Sequence, residues 1–360
     1  MYVKKTSNFL QILKLICCLN KIIMRKIIAV LLCVAIFFNS TSAQNKTEYN
    51  VVKTFHIASP GGWDYIAVNN GKLYVSHGTQ VNILDEKTGD SIGVIHNTTG
   101  VHGIAFDNAL NKGYTSNGRL NNVTVFDLTT NAILNQIATG ENPDAIYFEP
   151  YSKKIITNNG RSKNLSVIDP VTNTVISTID VGGKPEEGTS DGAGKLYVNL
   201  EDKSEIAVIN TKTFTVENHW SLSPGEAPTG LALDKKTKRL FSTCSDSKQL
   251  IIMDATTGKI IDKLPIGEGC DGVAFDEANN LIFASNGDGT ITVVKEISAN
   301  EFKVLETAAT KVRARTITID QKNHTLFLPA AEFEPADPQN PKARRNMVPG
   351  TFQVLVVKKN

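Results

Sequence analysis

Seven positions at near-constant spacing carry most of the side chains able to do chemistry: Asp64, His102, Asp144, Glu186, Thr229, Asp271 and Arg315. The steps between them are 38, 42, 42, 43, 42 and 44 residues. Five of the seven are Asp, Glu or His. Carboxylates crowded together raise one another's pKa or recruit a cation. A His among Asp ligands suits zinc or another transition metal, with His102 and Asp144 as the candidate ligands. A second periodic set, His77, Asn117, Asn159, Cys244 and Asn286, follows the first along the chain.

The spacing itself identifies the elements that hold these residues. Each lead residue opens a short alternating run, as in His102-Gly103-Ile104-Ala105-Phe106-Asp107 and Asp144-Ala145-Ile146-Tyr147-Phe148-Glu149. The copy at Glu186 is degraded, with Gly188, Thr189 and Ser190 where the others are apolar. Three further period-2 runs follow in each unit, rich in β-branched residues and separated by Gly, Asn and Asp clusters, so every unit reads as four strands, A to D. A repeat of about 40–45 residues built only of short strands is a β-propeller blade. The fold is therefore all-β, with seven blades. The seventh unit supplies strands A, B and C only, and the stretch Tyr49 to Phe55 reads as its missing D strand. Pairing the two ends in one blade closes the ring and removes an exposed sheet edge.

In such a ring the D–A and B–C loops open on one face, around the central channel. Trp63, Asp64, His77, His102, Asn117, Asp144, Asn159, Asp271 and Arg315 are thereby expected at one mouth as a ligand site, Trp63 supplying an apolar wall. The competing account is structural: the same side chains cap backbone N–H groups along the rim of every blade. His77, His102 and Arg315 break the repeat pattern and lean towards function.

The strand B endings Tyr74-Val75-Ser76-His77, Tyr114-Thr115-Ser116-Asn117, Ile156-Thr157-Asn158-Asn159 and Tyr197-Val198-Asn199, followed by Val-Thr-Val-Phe-Asp and Asp-x-x-Thr runs, resemble the YVTN-repeat, YncE-like β-propellers. The resemblance runs from Tyr49 to Asn360 and implies the fold. It implies little about activity, since members of this family are mostly exported and are linked to surface layers, to single-stranded DNA binding or to no known activity. Blade 7 departs from the pattern through an insertion over residues 331–350.

Other chemical-looking motifs have plainer readings. Asp85, Asp127, Asp169 and Asp254 each precede a Thr by three residues, where a carboxylate accepts N–H bonds across a hairpin turn. Asn286-Gly287-Asp288-Gly289-Thr290 lacks the spaced ligands and terminal Glu of a calcium loop. There is no haem-attachment Cys-x-x-Cys-His, no nucleophile elbow and no phosphate-cradling loop, so no cofactor is evident beyond a divalent metal.

Residues 1–43 read as a leader and signal peptide. Met24-Arg25-Lys26 is a positive start, twelve apolar residues follow over 27–38, and Thr41 and Ala43 suit cleavage before Gln44. Translation then starts at Met24, and 44–360 form a single propeller domain, exported to a periplasmic or extracellular space, without a transmembrane span and monomeric. The whole chain has a net charge of +2, but 1–43 hold six basic and no acidic residues, which leaves 32 basic against 36 acidic and a net −4 for the rest. That sign disfavours nucleic acid as a partner. Arg119, Arg161 and Lys163 in the B–C loops form either a short polyanion path or a solvated face. Cys244 and Cys270, the only cysteines of 44–360, are expected on the mouth side and could form a disulfide, two buried thiols or a soft metal site.

These residues predict a binding protein of the cell envelope whose ligand, a small molecule or an envelope protein, sits at the mouth. The alternatives are a metal-assisted lyase or lactonase with His102 or His77 as base, and single-stranded DNA binding, implied only by the resemblance.

Overall fold

A computed structural model describes residues 48–335, 340 and 345–360; the leader, signal peptide and cleavage site predicted over 1–43 lie outside them. Seven four-stranded antiparallel sheets make up the ring. Blades 1 to 6 are formed from consecutive strands, beginning with Trp63–Asn69 on the inner edge of blade 1. Blade 7 combines Thr318–Asp320, Thr325–Ala330 and Gln353–Lys359 with the N-terminal strand Tyr49–His56 as its outermost member. That strand runs antiparallel to the last one from Tyr49↔Lys359 to His56↔Gln353. The expected closure is present. Among the described residues the one helical element is the 3-10 turn Glu201–Lys203, and no helix is long and apolar enough to cross a membrane.

Alternation along each strand presents apolar residues to both neighbours, so the core is divided into seven wedges, one per blade junction. The wedge between blades 7 and 1, for example, packs Phe327, Val354 and Val356 against Leu73, Val75 and Leu84, with Phe55 of the closing strand between them. Phe55 also fixes a glycine. Gly89 has φ +80°, and a Cβ there would lie 2.1 Å from the Phe55 ring.

Blade 4 keeps its inner strand, Pro185–Ser190, despite the missing apolar residues. A neighbouring ring fills the gap: a Cβ on Gly188 would lie 2.6 Å from the Tyr147 hydroxyl, which donates to Asn158 Oδ1 at 2.8 Å. The Asp-x-x-Thr motifs are turns, as expected. Asp85 Oδ1 accepts from the N–H groups of Lys87 and Thr88 at 2.9 and 2.8 Å, and Asp127, Asp169 and Asp254 repeat this. Asp288 likewise accepts from Glu268 N and Thr290 Oγ1, which closes a turn.

Of the three readings of Cys244 and Cys270, the structure has two buried free thiols and no disulfide. Successive strand side chains point to opposite faces, so Cys244 and Thr243 face different surroundings. Cys244 packs in the apolar wedge between blades 4 and 5. The Cys270 thiol lies on the face of the preceding residue, Thr243, and donates to Gly272 O at 3.4 Å. Burial pushes each thiol up to about 12.

Two measurements check this architecture. Phe55→Ala should cost about 3–5 kcal/mol as a large buried ring, whereas Val52→Ala, half-exposed on the same strand, should stay within about 0.5 kcal/mol. Equal losses in denaturant titrations of the two variants would mean that the closing strand does not seal the ring. In the native protein, alkylation followed by peptide mapping should leave Cys244 and Cys270 unlabelled, and unfolding without reductant should expose both. A mapped Cys244–Cys270 cross-link would overturn the free-thiol assignment.

Candidate functional site

The lead residues are aimed by a repeated irregularity of strand A. In blade 1 the pairing jumps from Trp63↔His77 to Ile66↔Val75, so Asp64 and Tyr65 together oppose the single residue Ser76. The same β-bulge recurs at 102–103, 144–145, 186–187 and 229–230, opposite Ser116, Asn158, Asn199 and Thr243. Bulges re-aim side chains at the rims of closed sheets. Here the opposed hydroxyl or amide also satisfies the backbone groups that the bulge leaves without ladder partners. Ser76 Oγ donates to Tyr65 O at 2.9 Å, and Gly103 N donates to Ser116 Oγ at 2.8 Å.

Several of these residues reach into the next blade as well. Ser116 donates to Asp144 O and Asn158 to Glu186 O, while Asn199 Nδ2 donates to Thr229 O at 3.0 Å. Thr229 Oγ1 donates to Cys270 O at 3.0 Å, Ser285 Oγ to Arg315 O at 2.5 Å and Thr316 Oγ1 to Asp64 O at 2.7 Å. The junction between blades 1 and 2 is bridged by ionisable side chains instead: His102 Nδ1 lies 2.6 Å from Asp64 Oδ2.

Around His102 the charges converge. Asp144 Oδ1 is 3.7 Å from the same ring nitrogen, and ligand atoms of Asp64, His102 and Asp144 all lie within 4.8 Å of one another. Burial alone lowers the imidazole's pKa, but the Asp64 hydrogen bond and the charges of Asp144, Asp64 and Glu186 outweigh it and raise it to about 9. Asp144 is pushed well above the usual carboxylate range by burial and then by Asp64. Glu186 is raised by burial and by Asp144, although Lys184 Nζ sits 2.6 Å from its Oε1. Glu187 rises to about 7, through burial and the fields of Asp144, Asp64 and Asp271. Asp271 is raised by burial against the opposing pull of Arg315, whose Nη1 is 2.9 Å away.

Of the residues expected at the mouth, Asp64, His102, Asp144, Asp271 and Arg315 do meet there. Three do not. His77, Asn117 and Asn159 are 0% exposed: the two Asn turn into their own B–C hairpins, and His77 turns into the loop before blade 1. Asn117 Nδ2 donates to Asn122 Oδ1 and Thr124 Oγ1, and Asn159 Nδ2 to Asn164 Oδ1 and Ser166 Oγ. His77 stacks on Phe352 with centroids 3.9 Å apart. Its Nε2 meets Gly61 O and its Nδ1 meets Ser59 Oγ, each at 2.7 Å. Burial lowers its pKa, against the Gly61 bond. With both ring nitrogens engaged it is no general base for a ligand. Trp63 is half-buried against Phe352 and Phe333, at 5.3 and 5.8 Å, and forms one wall of a cleft beside the mouth. In the B–C loops Lys163 pairs with Asp202 at 2.7 Å.

The sequence pattern missed Tyr65, Glu187 and Lys184. Strict alternation sends a residue next to a lead position to the opposite face. A bulge cancels that rule, and the polar pairs Asp64-Tyr65 and Glu186-Glu187 were its visible trace. Tyr65 is half-buried, and its hydroxyl pKa is raised well above normal, by desolvation and then by Glu187.

Comparison with known proteins bears on the fold. A solved structure of Kuenenia stuttgartiensis hydrazine synthase superimposes with a TM-score of 0.66 at 13% identity, covering 82% of this chain and 98% of that one. At that identity the likeness is one of fold alone. No curated protein sequence matches. A family model described as YNCE-like beta-propeller matches residues 104–327, from strand A of blade 2 into strand B of blade 7. With more than half of the sequence matched and seven blades closed into one ring, the chain belongs to the YNCE-like beta-propeller family.

Proposed function

We propose that this is an exported, monomeric binding protein of the cell envelope whose channel mouth holds a divalent transition-metal cation through Asp64, His102 and Asp144. The observation that carries the reading is their convergence: three ligating groups from three successive blades within 4.8 Å of one another. Two carboxylates and an imidazole are a mixed oxygen and nitrogen set of the kind that zinc and its neighbours take. The surroundings favour a cation further. Among the described residues, Asp64, Asp144, Glu186, Glu187 and Asp271 gather around the cationic groups of His102, Lys184 and Arg315. Four of those carboxyls are held above their usual range. Carboxyl groups that ionise reluctantly because they are buried beside one another are stabilised as carboxylates when a cation arrives. The apolar segment and small-residue cleavage site within 1–43 support export.

The pH dependence has a definite sign. His102 must lose its proton to ligate, and without metal it holds that proton to about 9. Zinc or nickel affinity, measured by calorimetry, should therefore strengthen as pH rises from 6 to 9, with proton release. One ion per chain is expected, and Asp144→Asn or His102→Gln should weaken binding at least tenfold. A purified protein that binds no stoichiometric ion, or variants that bind it as the parent does, would return the cluster to a purely structural role.

The structural share of the same contact can be read separately. A His whose folded pKa lies at about 9 stabilises the fold below its unfolded value of 6.5, and that contribution fades as pH rises through 9. The stability gap between the parent and His102→Gln in metal-free buffer should thus be larger at pH 6 than at pH 9.5. A gap that widens with pH would show that the imidazole is neutral in the fold.

A further inference from the structure

On the face opposite the mouth, one buried position repeats at the blade junctions. Near the end of strand C its N–H donates to the A–B turn of the same blade. Glu86 donates to Gly71 O, Leu128 to Asn111 O, Thr211 to Gly194 O, Ala255 to Lys238 O and Glu296 to Asn280 O, each at 3.0 Å. Pro170 holds the place in blade 3, and all six residues are buried. The position faces the preceding blade: Lys72 Nζ donates to Leu128 O, Lys112 Nζ to Pro170 O and the Tyr197 hydroxyl to Ala255 O. Four of the six side chains cannot ionise. Glu86 and Glu296 can, and each meets an acid that ends strand A of the preceding blade. Glu86 meets Asp320 between blades 7 and 1, and Glu296 meets Asp234 between blades 5 and 6.

The hydrogens at Glu296 do not suffice for two carboxylates. Thr237 Oγ1 lies 2.7 Å from Asp234 Oδ2 and 2.7 Å from Glu296 Oε1. A hydroxyl has one hydrogen and an ionised carboxylate only accepts, so one contact needs a proton supplied by a carboxyl. Asp234 Oδ1 already accepts from Lys236 N at 2.7 Å, whereas Glu296 Oε2 is buried without a partner. An ionised Glu296, only 2% exposed, would leave charge on that bare oxygen at high cost. The proton therefore belongs to Glu296, which donates to Thr237 while Thr237 donates to Asp234. Arg239 also acts on Glu296, but its own bonds go to Ala299 O, Thr237 O, Lys238 O, Asp254 and Asn300. Burial, and then the Asp234 charge, outweigh Thr237 and Arg239 and raise Glu296 to about 7. At the other junction the Glu86 and Asp320 carboxyls are hydrogen-bonded to each other, which likewise takes one proton. Lys322 N and Asn323 Nδ2 donate to Asp320 and keep it the charged partner. Burial and then Asp320 raise Glu86 to about 7, against Asn323 and Lys87.

We propose that Glu86 and Glu296 are buried carboxylic acids whose protons clasp blades 6 and 7 to the rest of the ring. Their two junctions bracket those blades, which bring Asp271 and Arg315 to the mouth. When either acid loses its proton, two adjacent carboxylates stay buried and their repulsion loosens that junction. A carboxyl with a folded pKa of about 7 stabilises the fold fully below its unfolded value of 4.5, and that contribution is lost as pH rises through 7. The clasp is engaged in acid and released in base, and it does not depend on the proposed cation.

The test uses the full chain in metal-free buffer at pH 5.5 and 8.5, with Glu86→Gln and Glu296→Gln. Each amide keeps the shape and a donor without the charge. In carbon-13 spectra of glutamate-labelled protein, each variant should lack one carboxyl resonance that titrates near neutral pH in the parent. Between the two pH values the parent's unfolding constant should rise at least tenfold more than that of Glu296→Gln. Amide exchange, corrected for its intrinsic rate, should quicken at pH 8.5 in the parent's strands at both junctions. Glu296→Gln should abolish that rise between blades 5 and 6 only, and Glu86→Gln between blades 7 and 1 only. The junction of blades 3 and 4, built on Thr211, should not respond. Each variant reports on its own junction, so one that fails to fold leaves the other decisive. Both glutamates titrating in the ordinary carboxyl range, or junction exchange that quickens equally in parent and variants, would overturn the proposal.

Discussion

The ring depends on one recurring polar contact, a donor that reaches a backbone carbonyl in the next blade. In three blades that donor is the residue opposite a bulge: Ser116, Asn158 and Asn199 serve blades 3, 4 and 5. Ser285 reaches blade 7, while Thr229 and Thr316 use their own hydroxyls towards blades 6 and 1. A bulge exposes carbonyls that the ladder no longer satisfies, and a buried unsatisfied carbonyl is costly. The bulge and its neighbour's hydroxyl or amide thus require each other. Because the bulge also turns the lead side chain inward, the ring's cohesion and the chemistry at its mouth rest on the same backbone feature. At the junction of blades 1 and 2 the two coincide, since His102 and Asp64 are both the link and the candidate ligands.

That coupling explains what could be read from the sequence. Spacing and alternation were enough for seven blades, for the Tyr49–His56 closure and for the Asp85-type turns, because each is a local or periodic consequence of side-chain type. The convergence of Asp64, His102 and Asp144 followed from topology alone. Tyr65 and Glu187 did not, because a bulge shifts register without changing composition. His77, Asn117 and Asn159 were placed at the mouth for a related reason. Loop position says where a residue lies but not whether its polar atoms are consumed, by its own hairpin for the two Asn and by the loop before blade 1 for His77. The resemblance in the Tyr-Val-Thr-Asn endings turns out to be physical: the third position ties bulges and blades, and the fourth closes the B–C hairpin.

The top face is electrically divided. Raised carboxyls and a protonated imidazole surround the channel on the side of blades 1 to 4, while arginines and aromatic rings gather where blade 7 meets blade 1. Arg315 stands at the border, bonded to Asp271 on one side and lining the cleft on the other.

The closing strand has a consequence for how the molecule comes into being. Tyr49 pairs with Lys359, and Asn360 N donates to Glu48 O at 2.8 Å, so this pairing joins the two most distant parts of the ring. On a chain made from its N-terminus, Tyr49–His56 emerges before any blade and waits for a partner made last. Until then its apolar residues, Phe55 among them, have no wedge to enter, and blade 7 has an open edge. Contacts between such distant segments form slowly and leave strand edges exposed meanwhile. Blades 1 to 6, each a local meander, need no such delay. The ring is thus assembled as an open arc whose last step is a clasp, and the interval before that clasp engages is when the molecule is most open to helpers, to proteases and to its own copies.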